Sequence, residues 1–229
     1  DSIRDAFYNN KKDIPLLSLD QARKRRPRLD YNPFKPLNMG IHCIDSISLD
    51  MLKGYIDWSP FFHAWEFKGV YPSILDDPVK GIEAKKVFED AMVQLNSIIS
   101  SKSLTAKAVY GFFSAKSDKE QVHILNKDLS FNFPRQLIDK GNVPNYSLSD
   151  YISPDGNDFL GMFSVTAGHG LEAIVDQFET DNDDYNSIMV KVLADRFAEA
   201  TAEWLHEKVR KEYWGYSASE NLILDEVLK

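Results

Sequence analysis

Residues 183–215 read DDYNSIMVKVLADRFAEATAEWLHEKVRKEYWG, and this stretch decides the fold. Met189, Val192, Leu193, Phe197, Ala200, Trp204, Leu205, Val209 and Tyr213 recur at the spacing that lays an apolar stripe along one side of an α-helix. Asp183 or Asp184 can cap the free amides of the first turn, and both charges suit the positive end of the helix dipole. Lys208, Arg210 and Lys211 gather at the other end, where Gly215 can take the left-handed conformation that stops a helix. One long helix over residues 184–214 follows, roughly 40 Å in length at about 1.5 Å per residue.

The other side of this helix is acidic. Asp195, Glu199, Glu203 and Glu207 stand four residues apart, and like charges at that spacing repel by about a few tenths of a kcal/mol per pair. Arg196, Arg210 and Lys211 offset part of this. Two readings stay open: a solvated acidic face, or a row of carboxylates aimed at a cationic ligand, a metal or a basic partner.

The chain has 229 residues, enough for one large domain or two small ones with a real core. Apolar residues at 43% and charged ones at 27% describe an ordinary globular composition. A net charge of −8 argues against non-specific nucleic-acid binding, which needs a basic surface. The single cysteine, Cys43, excludes an internal disulfide framework and fits a reducing cytoplasm. No apolar run approaches the length of a membrane span, and the first residues lack the hydrophobic region of a signal peptide. The chain begins at Asp1 rather than at Met, so processing or excision from something longer is expected.

Upstream of the long helix, Gly168-His169-Gly170 follows an apolar strand from Phe159 to Thr166. The glycine pair is too loose for a phosphate fingerprint and instead turns the chain into a helix from Leu171 to Phe178. Ala106 to Ala115 and Gln121 to Leu125 read as a hairpin whose turn is Lys116 to Lys119, with Phe131 and Phe133 in a short third strand. Asn142 to Asp155 is mostly loop. Val79 to Ser100 is a second amphipathic helix, its apolar positions at Ile82, Val87, Ala91, Leu95 and Ile98. Met39 to Ile47 alternates as a strand, and Ser48 can cap a short helix through Tyr55.

In Ile56-Asp57-Trp58-Ser59-Pro60-Phe61-Phe62, Ser59 before Pro60 suits a helix start, Asp57 suits a turn or cap, and the aromatics suit a core. Residues 1–38 read as a linker with little core. Ser18 and Gln21 have capping-box spacing for a helix through Lys24. The basic run Lys24-Arg25-Arg26-Pro27-Arg28 is a solvated connector or a docking strip for an acidic neighbour. Downstream, Ser219 can cap a last helix, Glu220 to Leu228. Grouped helices and a strand meander give an α+β class with a mainly antiparallel sheet flanked by helices.

Glu203 with His206 and Glu120 with His123 are two Glu-x-x-His pairs, the spacing that projects metal ligands from helices. The second pair falls in an expected strand, where such positions face opposite ways. His42, His63 and His169 have no partner at ligand spacing. Cys43 beside His42 makes no catalytic pair, and no nucleophile elbow, phosphate loop or zinc pattern occurs.

Taken in order, Asp57-Trp-Ser-Pro-Phe-Phe62, Gly81-Ile-Glu-Ala84, Asp183 to Lys191, Ala194 to Glu199, Leu205 to Arg210 and Trp214-Gly-Tyr216 resemble the C-terminal activation domain of cobalamin-dependent methionine synthase. The likeness runs from Ile14 to the last residue. It implies a C-shaped α+β domain, 39–229, preceded by a linker, 1–38, from a cobalamin-binding domain. It implies S-adenosylmethionine as ligand and methyl donor, and a part in reactivating a methyltransferase whose cobalt has drifted to cob(II)alamin. The implied partners are the cobalamin-binding domain of the same polypeptide and flavodoxin or a flavoprotein reductase as electron donor, in the cytoplasm. Cobalamin, zinc, homocysteine and methyltetrahydrofolate belong to other domains. No catalytic residue and no metal ligand is implied for this chain, which on its own is expected to be inactive.

By the resemblance, Asp57 contacts the ligand's ribose hydroxyls and Glu199 lies near its methionyl portion. Asp195, one turn earlier, faces the cobalamin domain. The family reads the ligand's carboxylate and adenine with an Arg-x-x-x-Gly-Tyr segment beyond the last helix expected here, and these residues end at Lys229 without it. Arg210 to Gly215-Tyr216 has one residue too many to serve. The expectation is a C-terminally incomplete domain that binds S-adenosylmethionine weakly or not at all. The alternative is a docking module for flavodoxin or the cobalamin domain that takes no small molecule.

Overall fold

The computed structural model describes residues 15–27, 29–30 and 32–222. They fall into two units. One combines the residues up to 36 with 112–161, and the other combines 37–111 with the residues from 162 onward. The strands are β1 (Gly40–Ile47), β2 (Thr105–Asp118), β3 (Gln121–Ile124), β4 (Leu129–Asn132) and β5 (Asp158–His169). Their order is β1-β2-β3-β4 with β5 also paired to β2, and the β2–β3 and β3–β4 pairs are antiparallel. The class is α+β, as the grouping of helices and strands implies.

In the unit that holds β3 and β4, the hairpin turn is Lys119-Glu120, because Asp118 pairs with Gln121. The sequence reading placed it earlier, at Lys116 to Lys119. Lys116, Ser117 and Asp118 end the strand as three consecutive polar residues, and that run imitates a turn. Helix α1 (Leu19–Lys24) begins with the expected capping box of Ser18 and Gln21 and buries Ala22. Arg23 donates to Glu120 at 2.6 Å and Arg25, in the basic run, to Asp139 at 2.6 Å, so both are held by acids of their own unit. Beneath them lies Arg135, whose side chain is 2% exposed. It donates to Glu120 at 2.8 Å, to the Asn145 carbonyl at 2.8 Å and to both Asp150 oxygens at 2.7 and 2.8 Å. The Arg23 hydrogen bond first, and Arg135 after it, hold the Glu120 carboxyl below the usual range.

The other unit is built on helices. Ser48 stands at the start of α2 (Leu49–Leu52) but makes no side-chain cap, and a 3₁₀ turn (Lys53–Tyr55) completes the expected segment. Next come α3 (Ser59–Ala64), α4 (Gly81–Ser101), α5 (Leu171–Thr180) and α6 (Asp184–Lys208). Helix α3 starts one residue before Pro60, because the Asp57 carboxylate accepts the Ser59 amide at 2.9 Å. In α4, Ala84, Ala91, Leu95 and Ile98 are buried, whereas Ile82 is 86% exposed and faces away from the core. At Gly170, φ is +97° and an added Cβ would lie 2.1 Å from the Ser103 carbonyl oxygen, so only glycine fits the entry to α5.

Helix α6 starts as the sequence implies, with Asp183 accepting the Asn186 amide at 3.0 Å. Met189, Val190, Leu193, Phe197, Ala200, Trp204 and Leu205 are buried. Each large side chain among them contributes about 1.5–3 kcal/mol. The helix packs on α5, the 3₁₀ turn, α2, α3 and α4. Its last turn departs from the expectation: Val209–Tyr213 is a π-helix, and Gly215 then ends it at φ +84°. The wider turn accompanies a stack of Tyr213 on Tyr110 at 4.7 Å, which a continued α-helix would rotate away. Of the last expected helix, residues 219–222 form a turn and coil, and the remainder lies outside the described residues.

Candidate functional site

The acidic side of α6 is open at Asp195 and Glu199, and these two charges are not left to repel one another. Arg196 sits between Asp195 and Glu199 with its side chain 7% exposed, while theirs are 65% and 62% exposed. One terminal nitrogen, Nη2, donates to Asp195 Oδ2 at 2.5 Å and to Glu199 Oε1 at 3.2 Å. The other, Nη1, donates to Glu199 Oε2 at 2.9 Å. The guanidinium thus lies beneath the two acids, which keep their outer lone pairs toward solvent. Sequence spacing alone showed Arg196 only as a partial offset to the acidic row. The planar fork that joins two neighbouring carboxylates depends on a rotamer set by burial.

Asp57 lies in the link between the 3₁₀ turn and α3, both of which rest on α6. Two contacts fix the path of this segment. Tyr55 donates to Glu207 Oε2 at 2.5 Å, and the ring of Trp65 meets that of Tyr185 at 5.0 Å. The chain from 55 to 65 therefore runs antiparallel to α6, with Asp57 two residues after the tyrosine that bonds Glu207. Burial and the Glu207 hydrogen bond push the Tyr55 hydroxyl up to about 12. Lys211, at 2.6 Å, and then Tyr55 hold the Glu207 carboxyl below the usual range. The sequence showed Glu207 as one of the acidic row and Tyr55 as the end of a short helix, but not their contact, since a pairing between residues so far apart leaves no periodic trace.

Asp57 is exposed. Its Oδ1 is committed to the Ser59 amide, the capping role that its position also implies. Among the described residues no hydrogen bond joins Asp57 to Glu199 or Asp195. Of the Glu-x-x-His pairs, Glu120 is held by Arg23 and Arg135, and His206 meets Phe163 edge-on at 5.0 Å. Arg210 donates to Glu220 at 2.8 Å. A cavity of about 610 Å³ opens between Ser48, Asp50, Lys102 and Thr105 in the same unit, away from all three candidate residues.

The family model for the activation domain of vitamin B12-dependent methionine synthase matches residues 48–229. The chain belongs to that family. The crystal structure of the MetH reactivation domain bound to AdoHcy is similar with a TM-score of 0.87 and 39% identity, covering 93% of this chain and 69% of that one. Asp57, Asp195 and Glu199 all lie inside the matched range of the activation domain. Arg196, which holds Asp195 and Glu199, and the bonded pair Tyr55 and Glu207 lie there too.

Proposed function

We propose that this activation domain, within the whole synthase, binds S-adenosylmethionine against the acidic face of α6 and presents it to the cobalamin-binding domain of the same polypeptide, reactivating a cobalamin that has drifted to the cob(II)alamin state. The observation that carries the reading is the pair of open carboxylates, Asp195 and Glu199, on the helix that also seats the Asp57 loop. The donor set suits the ligand. A sulfonium and an α-ammonium are cations that want carboxylates, and ribose hydroxyls are donors that want an acceptor.

In this reading Glu199 accepts from the α-ammonium and offsets the sulfonium charge. Asp57, with Oδ1 fixed by the Ser59 amide, turns Oδ2 to the ribose. Asp195 faces the cobalamin domain. The bound ligand supplies a sulfonium methyl group for transfer to reduced cobalt, leaving S-adenosylhomocysteine. A flavodoxin-like or flavoprotein reductase donor supplies the electron. The related reactivation domain bound to AdoHcy, the same adenosyl amino acid without that methyl, supports the assignment.

Calorimetric titration of S-adenosylmethionine into the synthase tests this. Glu199→Gln and Asp57→Asn are each expected to weaken binding about tenfold or more, the loss of one charge-assisted hydrogen bond. Unchanged affinity in both variants would sink the assignment. Loss of cobalamin-domain docking with ligand affinity intact would favour a docking role for the acidic face instead.

A further inference from the structure

We propose that Arg196 is a positioning residue for the ligand site: it holds Asp195 and Glu199 together as one two-pronged acceptor for a cation. The inference rests on the reading of Glu199 given above. The guanidinium is 7% exposed, yet both of its acidic partners are mostly in solvent. Among the described residues its Nε–H is buried without a partner. Arg135 shows what a buried arginine does when only stability is served, since its Nε and both terminal nitrogens are all bonded. Arg196 leaves a donor unsatisfied and spends its two terminal nitrogens on surface carboxylates, an arrangement that costs stability. What it secures is geometry. Nη2 is shared between Asp195 and Glu199, so two side chains that would splay apart by repulsion are brought to one place. A lysine, a single point charge, cannot bridge both with a planar fork.

Two effects of Arg196 on a cationic ligand have opposite signs, and this makes the proposal testable. Its charge repels the ligand, so removing it should tighten binding if charge alone mattered. Its fork orders the acceptors, so removing it should weaken binding if position matters. With S-adenosylmethionine titrated into the synthase, Arg196→Met is expected to weaken binding about tenfold, and Arg196→Lys to recover only part of that. In a Glu199→Gln background, Arg196→Lys is expected to cost little more, because the two residues act through one contact.

Equal or tighter binding by Arg196→Met overturns the proposal, as does a loss that adds in full to that of Glu199→Gln. If Arg196→Met does not fold, the Arg196→Lys cycle decides alone. Absence of binding by the unaltered synthase overturns the functional reading and this inference together. Binding by the unaltered protein with Arg196→Met unaffected overturns this inference only.

Discussion

Single side chains fix the segment that carries Asp57. The Tyr55 hydroxyl donates to Glu207, which Lys211 also holds. Removing a hydrogen bond to a charged group costs about 1.5–3 kcal/mol, so Tyr55→Phe should lower stability by that order in urea unfolding at neutral pH. The Glu207 carboxyl titrates lower in the folded chain than in the unfolded one, first through Lys211 and then through Tyr55. Its contribution is therefore complete above the unfolded value of about 4.3 and disappears as pH falls through the folded value. The gap between Tyr55→Phe and the unaltered protein should narrow below about pH 4. Gly170 gives a second test at this scale. A β-carbon there meets the Ser103 carbonyl oxygen at 2.1 Å on a backbone of φ +97°. Gly170→Ala should destabilise by about 3 kcal/mol or prevent folding, read by thermal unfolding.

At the scale of elements, α6 and α4 show how far helical spacing carries. Asp183 caps α6, and its carboxyl is held low by the Asn186 side chain and then by the Asn186 amide. Asp183→Ala should lower stability in urea unfolding at pH 7, and lower it less once acid protonates the cap in the native protein. In α4 the positions Ile82 and Leu95 look alike in sequence, but one is exposed and the other fully buried. Leu95→Ala should cost about 2–5 kcal/mol in chemical unfolding, and Ile82→Ala well under about 1 kcal/mol. At about 100° per residue Ile82 stands nearly opposite Leu95 on the helix, while Ala84, Ala91, Leu95 and Ile98 share the inward face. An apolar residue of a helix belongs to the buried stripe only where its angle around the axis matches that of the others.

Across the whole molecule, charge governs both stability and binding. In the unit around β3, Asp150 is 6% exposed and accepts from Arg135 and from the Ser147 amide. Asp150→Asn would leave the buried Arg135 under-compensated, and a loss of about 3 kcal/mol is expected by urea unfolding. The chain carries a net charge of −8, so attraction for a cationic ligand extends beyond the three candidate carboxylates. S-adenosylmethionine affinity measured between about 0.05 and 0.5 M salt should fall as screening shortens that reach, and a flat salt response would contradict a carboxylate-lined site.

Local chemistry accounts for what the sequence determined by itself. The start of α6 at Asp183, its stop at Gly215, the capping box at Ser18, the glycine entry to α5 and the α+β class each follow from propensities and patterns spanning a few residues. The acidic row was legible too, because it is a matter of spacing on one helix. Tertiary structure alone decided which partners the charged side chains meet: Arg196 turned inward beneath Asp195 and Glu199, Tyr55 brought to Glu207 and, in the other unit, Arg135 enclosed by Glu120 and Asp150. Such contacts depend on which side chains lose their water when elements meet. Burial is a property of the packed molecule, and no local pattern carries it.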